Sequence, residues 1–459
     1  MIFSNNSPGD WSAPEVYPRD SLIETSGRVL GWPEIETSIS EDVFRIESVG
    51  LEWDMGVKVF APKSDAHAAR DAAGKRIGVF LLHGGDGDFK SMEPMARLYA
   101  SRFGHKAVAM TFPGRLYLDD PSRDWPGDTV NSDGSVRTPM WKKGEYITRD
   151  QYDVVYDDSK KLRYGSRLLA RAKEGSIFYD RMAGWPIAFV DGMKEAMRRH
   201  FPAGEYNIYG TGHSTGGPMI FMVSQRVANF AGIIAAEHSP FGAIQEKQHD
   251  WSGSLGKVAG FDRVTDKAAP RTDPFNELYI RTWRDCARYA GPEALGREGP
   301  SALMRLPSLM EEVHAWWDEE KCRPQFKAEY IITHNIQASL AAAGTVTAQR
   351  LGLSDARAED LIATYKGLPH PLSVEKGKRV PNILFAIAKD SRDHSPEVYR
   401  EVVVPLMTRI DPPPRVSVSR FDASTHFYFR AEKDLPLGIG PAVAEHFHAG
   451  MTNGYFQQN

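Results

Sequence analysis

The residues best suited to chemistry stand in one stretch, Gly210-Thr211-Gly212-His213-Ser214-Thr215-Gly216-Gly217, which holds a G-x-S-x-G pattern. A serine with small neighbours can be lifted clear of the backbone in a sharp turn. Gly212 and Gly216 leave out the Cβ atoms that would collide where a strand turns straight into a helix. A helix N-terminus behind such a turn favours developing negative charge. The chain has 40 glycines, so a bare G-x-S-x-G arises by chance in roughly one such sequence in five. Chemistry therefore requires partners in the right order.

A serine is a poor nucleophile until a base takes its proton. The base is usually a histidine held by a carboxylate. His426, in Phe421-Asp422-Ala423-Ser424-Thr425-His426-Phe427, follows the last expected strand and is the candidate base. Asp390 and Asp393 both follow the apolar run 383–388. Asp390 leaves the strand end directly and is the preferred acid, with Asp393 the alternative. Acyl transfer also needs two backbone N–H groups aimed at one oxyanion. Thr215 offers one. The turn His83-Gly84-Gly85-Asp86 offers the other, from Gly85 or from Asp86. His83 itself reads as a loop brace, and His446 and His448 as surface or packing residues. Asp86 and Asp88 lack the wider ligand set a metal needs, so neither metal nor cofactor is expected.

These residues need elements to hold them. Residues 77–82, 107–112, 206–209, 231–236 and 383–388 are apolar runs of the kind that form strands buried on both faces. Residues 43–49 and 57–62 read as a strand pair. Helices are expected over 91–103, 177–200 (bent or broken at Trp185-Pro186), 396–410 and 440–451, and from Pro218 onward, with a strand over 416–419. This alternation predicts a mostly parallel sheet with helices on both faces. Ligands in such sheets bind beyond the carboxyl ends of the strands, where His83, Ser214 and the two aspartates all fall. Residues 1–40 read as a surface arm. The core then runs over 41–242, with an insertion at about 115–175 that is helical over 159–173, and resumes over 379–459. Residues 243–378 read as a helical lid without obvious strands, with helices over 275–290, 301–320 and 328–351. Trp283, Trp316, Trp317, Tyr279 and Tyr289 in that lid read first as packing residues, and its arginines as a solvated face.

Composition narrows the class of function. Among 459 residues, 41% are hydrophobic, enough for a large core, and the formal net charge of -4 disfavours nucleic acid as a partner. Two cysteines, Cys286 and Cys322, suggest free thiols in a reducing compartment. No secretory signal pattern and no membrane-spanning run is evident. The expectation is a cytoplasmic protein with a small-molecule substrate and no membrane or nucleic-acid partner; homo-oligomerisation stays open.

The chain resembles the α/β-hydrolase superfamily through His83-Gly84-Gly85, Gly212-His213-Ser214-Thr215-Gly216, the acid turn near Asp390, and His426, in the order Ser, Asp, His. The resemblance covers roughly 40–114, 177–242 and 380–455. It departs at Asp86, where the lipase and esterase H-G-G-G pattern has its third glycine. The resemblance implies an α/β-hydrolase fold, a nucleophilic serine, an acyl-enzyme and no cofactor. The expected activity is cleavage of an ester, thioester, lactone or amide of a small to medium organic molecule. The alternatives are C–C hydrolysis of a diketone-like substrate by the same triad, or a non-catalytic binding protein on this fold.

Overall fold

The computed structural model describes residues 14–84, 88–117, 138–157, 168–214, 216–224, 230–237, 287–290, 317–318, 323–324, 337–367, 380–389, 412–423, 428–432 and 435–457. Its centre is a nine-stranded sheet. The strands are β1 (Glu15–Pro18), β2 (Thr37–Ser48), β3 (Leu51–Pro62), β4 (Arg76–Leu82), β5 (Lys106–Met110), β8 (Tyr206–His213), β9 (Phe230–Ala236), β13 (Ile383–Ala388) and β14 (Val416–Asp422). Their order across the sheet is β1-β14-β13-β9-β8-β4-β5-β3-β2. Strand β3 runs antiparallel to both β2 and β5, and every other pairing in this sheet is parallel. Parallel strands need long crossovers, and these carry the helices.

Because side chains alternate across a strand, each apolar run feeds two cores. Phe80 and Leu82 of β4 enter one core with Ile383, Phe385 and Ile387 of β13. Ile77, Val79 and Leu81 enter the other with Leu384, Ala386 and Ala388. The first core is covered by α3 (Ile177–His200) and α4 (Gly216–Ser224). The second is covered by α1 (Arg19–Leu30), α2 (Glu93–Phe103) and α7 (Gly440–Thr452). Helix α3 is N-capped by Ser176, whose hydroxyl accepts from the Tyr179 N–H, and it runs unbroken through Pro186. A mid-helix proline removes one backbone bond. The burial of Met182, Trp185 and Phe189 around it offsets that loss.

Three segments differ from expectation. Within 1–40, β1 extends the sheet beside β14, and α1 buries Leu22, Thr25, Ser26 and Val29. In the 115–175 segment, β6 (Tyr152–Asp157) and β7 (Leu168–Ala172) pair antiparallel, so 168–172 is strand where helix was expected. In the 243–378 block, β10 (Ala287–Ala290) pairs parallel with β7, and β11 (Trp317–Asp318) pairs antiparallel with β12 (Arg323–Pro324). These are strands where none was expected.

The remaining described part of that block is helical: α5 (Gln337–Arg350) and α6 (Asp355–Gly367). Tyr365 of α6 donates to the Ala183 carbonyl of α3 at 2.8 Å, and Arg350 of α5 donates to the Val49 carbonyl in the β2–β3 turn. This helical pair therefore docks on the flank of the core. Of the expected helices, residues 301–316 and 319–320, the first part of that over 275–290 and the first part of that over 328–351 lie outside the described residues, as does the helix expected over 396–410; Ala287–Ala290 and Trp317–Asp318, which fall within two of them, are strand instead. Trp283, Trp316 and Tyr279 also lie outside the described residues. No helix among the described residues is long and apolar enough to cross a membrane.

Candidate active site

Strand β8 lies between β4 and β9 near the middle of the sheet, and it ends at the G-x-S-x-G turn. Ser214 takes a left-handed backbone with φ of 55°. For a residue with a Cβ this costs on the order of 1 kcal/mol, and such strain concentrates at functional sites. Two bonds fix the turn. The Ser214 N–H donates to the Ala236 carbonyl at 2.9 Å, and the Gly217 N–H donates to the Ser214 carbonyl at 3.0 Å. Helix α4 begins two residues after Ser214, so its positive end lies next to the hydroxyl.

The glycines do what the spacing predicts. A Cβ on Gly212 would run into the Gly216 carbonyl oxygen. A Cβ on Gly216 would stand 2.5 Å from the Leu82 carbonyl oxygen and 2.8 Å from that of His83. Strand, elbow and helix thus meet at backbone distance, and no larger residue fits.

The β4 end brings the other half of the site. A Cβ placed on Gly84 would lie 3.2 Å from the Ser214 Cβ and 3.7 Å from its Oγ. The His83-Gly84 turn therefore packs directly against the candidate nucleophile. His83 is fully buried. Its Nδ1 donates to the Gly84 carbonyl at 2.7 Å, and its Nε2 accepts the Phe112 N–H at 3.4 Å. Burial, reinforced by the Arg115 charge, lowers its pKa to about 3. A neutral imidazole locked at both nitrogens braces the loop and cannot take a proton near neutral pH. Asp88 caps the turn that follows, its carboxylate accepting the Lys90 N–H at 2.7 Å. Among the described residues no group of three or more His, Cys, Asp or Glu side chains is arranged to hold a metal.

His426, Asp390, Asp393, Gly85, Asp86 and Thr215 lie outside the described residues. Lys389 donates its N–H to the Phe421 carbonyl at 2.9 Å, so the turn after β13 abuts the end of β14. Tyr428, two residues after His426, is buried, and its ring lies 6.2 Å from that of His213.

Sequence reasoning missed one residue here. Glu237 directly follows β9, is fully buried, and has a left-handed φ of 50°. Its carboxylate accepts the Ala388 N–H at 2.5 Å and the Tyr428 hydroxyl at 3.1 Å. The signal was present: Ala236-Glu237-His238 puts a lone carboxylate at the end of an apolar run. The expected packing roles for histidines on α7 are met by His446, which is fully buried and 2.9 Å from the Ser419 hydroxyl, and by His448, 2.8 Å from His105.

No protein-family model and no curated protein sequence matches the chain. Solved structures do. An acylaminoacyl peptidase from Pyrococcus horikoshii aligns with 90% of this chain and 41% of its own, at 12% identity and a TM-score of 0.37. This chain thus spans less than half the length of that peptidase. Acetyl xylan esterase 1 from Thermoanaerobacterium sp. aligns over 97% of both chains at 11% identity and a TM-score of 0.34. A thermostable esterase from Pseudomonas putida aligns over 99% of this chain and 93% of its own, at 12% identity and a TM-score of 0.37. At such values the assignment of the fold rests on the chain's own sheet and elbow. A mostly parallel sheet with one antiparallel strand, β3, next to its edge, helices on both faces, and a left-handed serine between strand and helix is the α/β-hydrolase fold.

Proposed function

We propose that the protein is a serine hydrolase that cleaves an ester, thioester, lactone or amide of a small to medium organic molecule through an acyl-enzyme. One observation carries this reading: Ser214 stands on a strained left-handed elbow with the Gly84 turn packed against its side chain. Nothing in ordinary packing rewards a strained serine between two close backbone approaches. A nucleophile does require both, the strain to present its oxygen and the close backbone to receive the oxyanion.

In this reading His426 takes the Ser214 proton as the oxygen attacks the carbonyl carbon. The electron pair of the carbonyl moves to oxygen. The Thr215 N–H and that of Gly85, with Asp86 the alternative, hold the resulting oxyanion beside the α4 N-terminus. His426 then gives its proton to the leaving group, and water repeats the sequence on the acyl-enzyme. Asp390, with Asp393 the alternative, orients His426 and balances its positive charge. Each oxyanion donor contributes about 3 kcal/mol to the transition state. His83 is excluded as the base by its burial and its two backbone bonds.

A panel of p-nitrophenyl esters, thioesters and anilides tests the reading, with the acyl group read on Ser214 by peptide mass after acid quench. Turnover with an acylated Ser214 peptide is expected. Turnover that survives Ser214→Ala contradicts it.

A further inference from the structure

The two edges of the central sheet are finished differently. Strand β1 is four residues long and ends in Pro18, and short, proline-bearing edges resist further pairing. Strand β2 is twelve residues long, holds no proline and no lysine, and pairs with β3 without a bulge. Among the described residues it has a strand on one side only. Val43 and Ile39, both good strand formers, are 56% and 41% exposed there. We propose that β2 is a homodimer interface. Two copies of the chain pair their β2 strands antiparallel about a two-fold axis at Val43 and join their sheets into one.

The backbone presents its groups in the direction this needs. Val49 and Gly50, with φ of 46° and 69°, form a two-residue turn that makes Ser48 and Leu51 a hydrogen-bonded pair. Bonding alternates from there along the ladder, so Ser48, Ile46, Phe44 and Asp42 bond to β3. Strand β3 agrees, since its Asp54 N–H and Gly56 carbonyl are bonded away from β2, to Trp141 and Thr111. Ile39, Glu41, Val43, Arg45 and Glu47 therefore aim their N–H and C=O groups at the open edge. Their side chains share one sheet face, opposite to that of the buried Phe44.

Charge selects both the register and the occupant. With Val43 against Val43, Glu41 of each copy stands opposite Arg45 of the other. Within one copy Glu41 already lies across from Lys58 and Arg45 across from Asp54, with ion pairs at 3.2 and 2.7 Å. Joining the strands runs Lys58, Glu41, Arg45 and Asp54 in a row of alternating sign across the seam, and the two-fold repeats that row. Outward-bonding residues must meet one another, so the copies can slide only by even steps. Sliding by two residues sets Asp42 against Asp42 or Glu41 against Glu47. Sliding by four sets Glu41 against Glu41 or Arg45 against Arg45, and like charges directly opposite are destabilising. An edge whose sequence complements itself is fitted to a second copy. The interface stands apart from the Ser214 strand, with β4, β5 and β3 between them.

The test is the mass of the full chain in solution, by sedimentation equilibrium, for wild type, Val43→Asp and Val43→Lys. Wild type should be a dimer. Each variant alone should show half that mass, because two like charges meet at the axis. An equimolar mixture of the two variants should regain the dimer mass, since position 43 meets itself only at this axis. A monomeric wild type overturns the proposal, even where the edge captures an extended segment of another protein. A dimer unmoved by either substitution overturns it too, and so does a mixture that stays monomeric. Should the variants misfold by circular dichroism, hydrogen exchange on wild type reads the same contact. The Val43 and Arg45 amides should be protected in the dimer, and rapid exchange of both would overturn the proposal.

Discussion

The two ends of the central sheet each bury a carboxylate, and they use it in opposite ways. At the end where β4 and β8 begin, Asp71 accepts the N–H groups of Ala73 and Lys75, the Tyr209 hydroxyl at 2.9 Å, and side-chain amides of Asn207 and Gln457. All of these hold chain together: Asp71 ties a loop, a strand and the C-terminal segment. Its backbone is not among the left-handed positions. At the other end, Glu237 has a left-handed backbone like that of Ser214 after the adjacent strand, and its carboxylate accepts the Ala388 N–H and the Tyr428 hydroxyl. A buried carboxylate saturated with donors on relaxed backbone marks stability. One placed on strained backbone beside a strained serine lies where the proposed hydrolase reading puts its chemistry.

Substitutions at the two ends sharpen this contrast. The largest effect is expected for Ser214→Ala, which should cut turnover by about 10⁴-fold or more and leave the melting temperature close to wild type, as enzyme assay and calorimetry would show. Gly216→Ala should fail to give folded protein, because its Cβ has backbone oxygens at 2.5 and 2.8 Å; circular dichroism of the purified variant reads this directly. At the far end the balance should invert. Asp71→Ala should cost about 3 kcal/mol of stability by orphaning several buried donors while leaving Ser214 labelling intact. Ser214→Gly should go the other way and gain about 1 kcal/mol by releasing the left-handed strain, with activity lost. A variant of Asp71 that stays stable but loses labelling would break the contrast.

A smaller effect follows from the buried histidines. Burial lowers the pKa of His83 and His446 to about 3, that of His448 to about 4, and that of His105 well below its ordinary value. The unfolded chain protonates these rings at about pH 6.5 while the folded chain keeps them neutral. The unfolded state therefore binds more protons between about pH 6.5 and pH 4, and stability falls as the pH drops through that window. At pH 5 each such ring costs about 2 kcal/mol. Melting temperature measured from pH 7.5 to 4.5 should decline, and His448→Gln should flatten part of that decline.

Much of this architecture was legible in the sequence because continuous apolar runs leave few alternatives to buried parallel strands. The elbow was legible for a related reason: Gly212 and Gly216 are the residues that backbone contact demands. What escaped depended on distant partners. Leu168–Ala172 is built from helix-forming residues, and its strand form comes from pairing with β6 and β10. Helix α1 buries Leu22, Thr25, Ser26 and Val29 at helical spacing, but two of those four are polar and hide the stripe from hydropathy. Ser26 earns its burial by accepting the Ala442 N–H of α7 at 3.3 Å, a contact more than 400 residues away along the chain. Glu237 escaped because a single glutamate after a strand reads as a solvated turn until β13 and Tyr428 are brought beside it.

The most direct test of the central claim is intact-mass labelling with a fluorophosphonate on wild type and on Ser214→Ala. The account predicts one adduct on wild type, at Ser214, and none on the variant. Equal labelling of both proteins, or none of wild type with either a bulky or a small organophosphate, would contradict it.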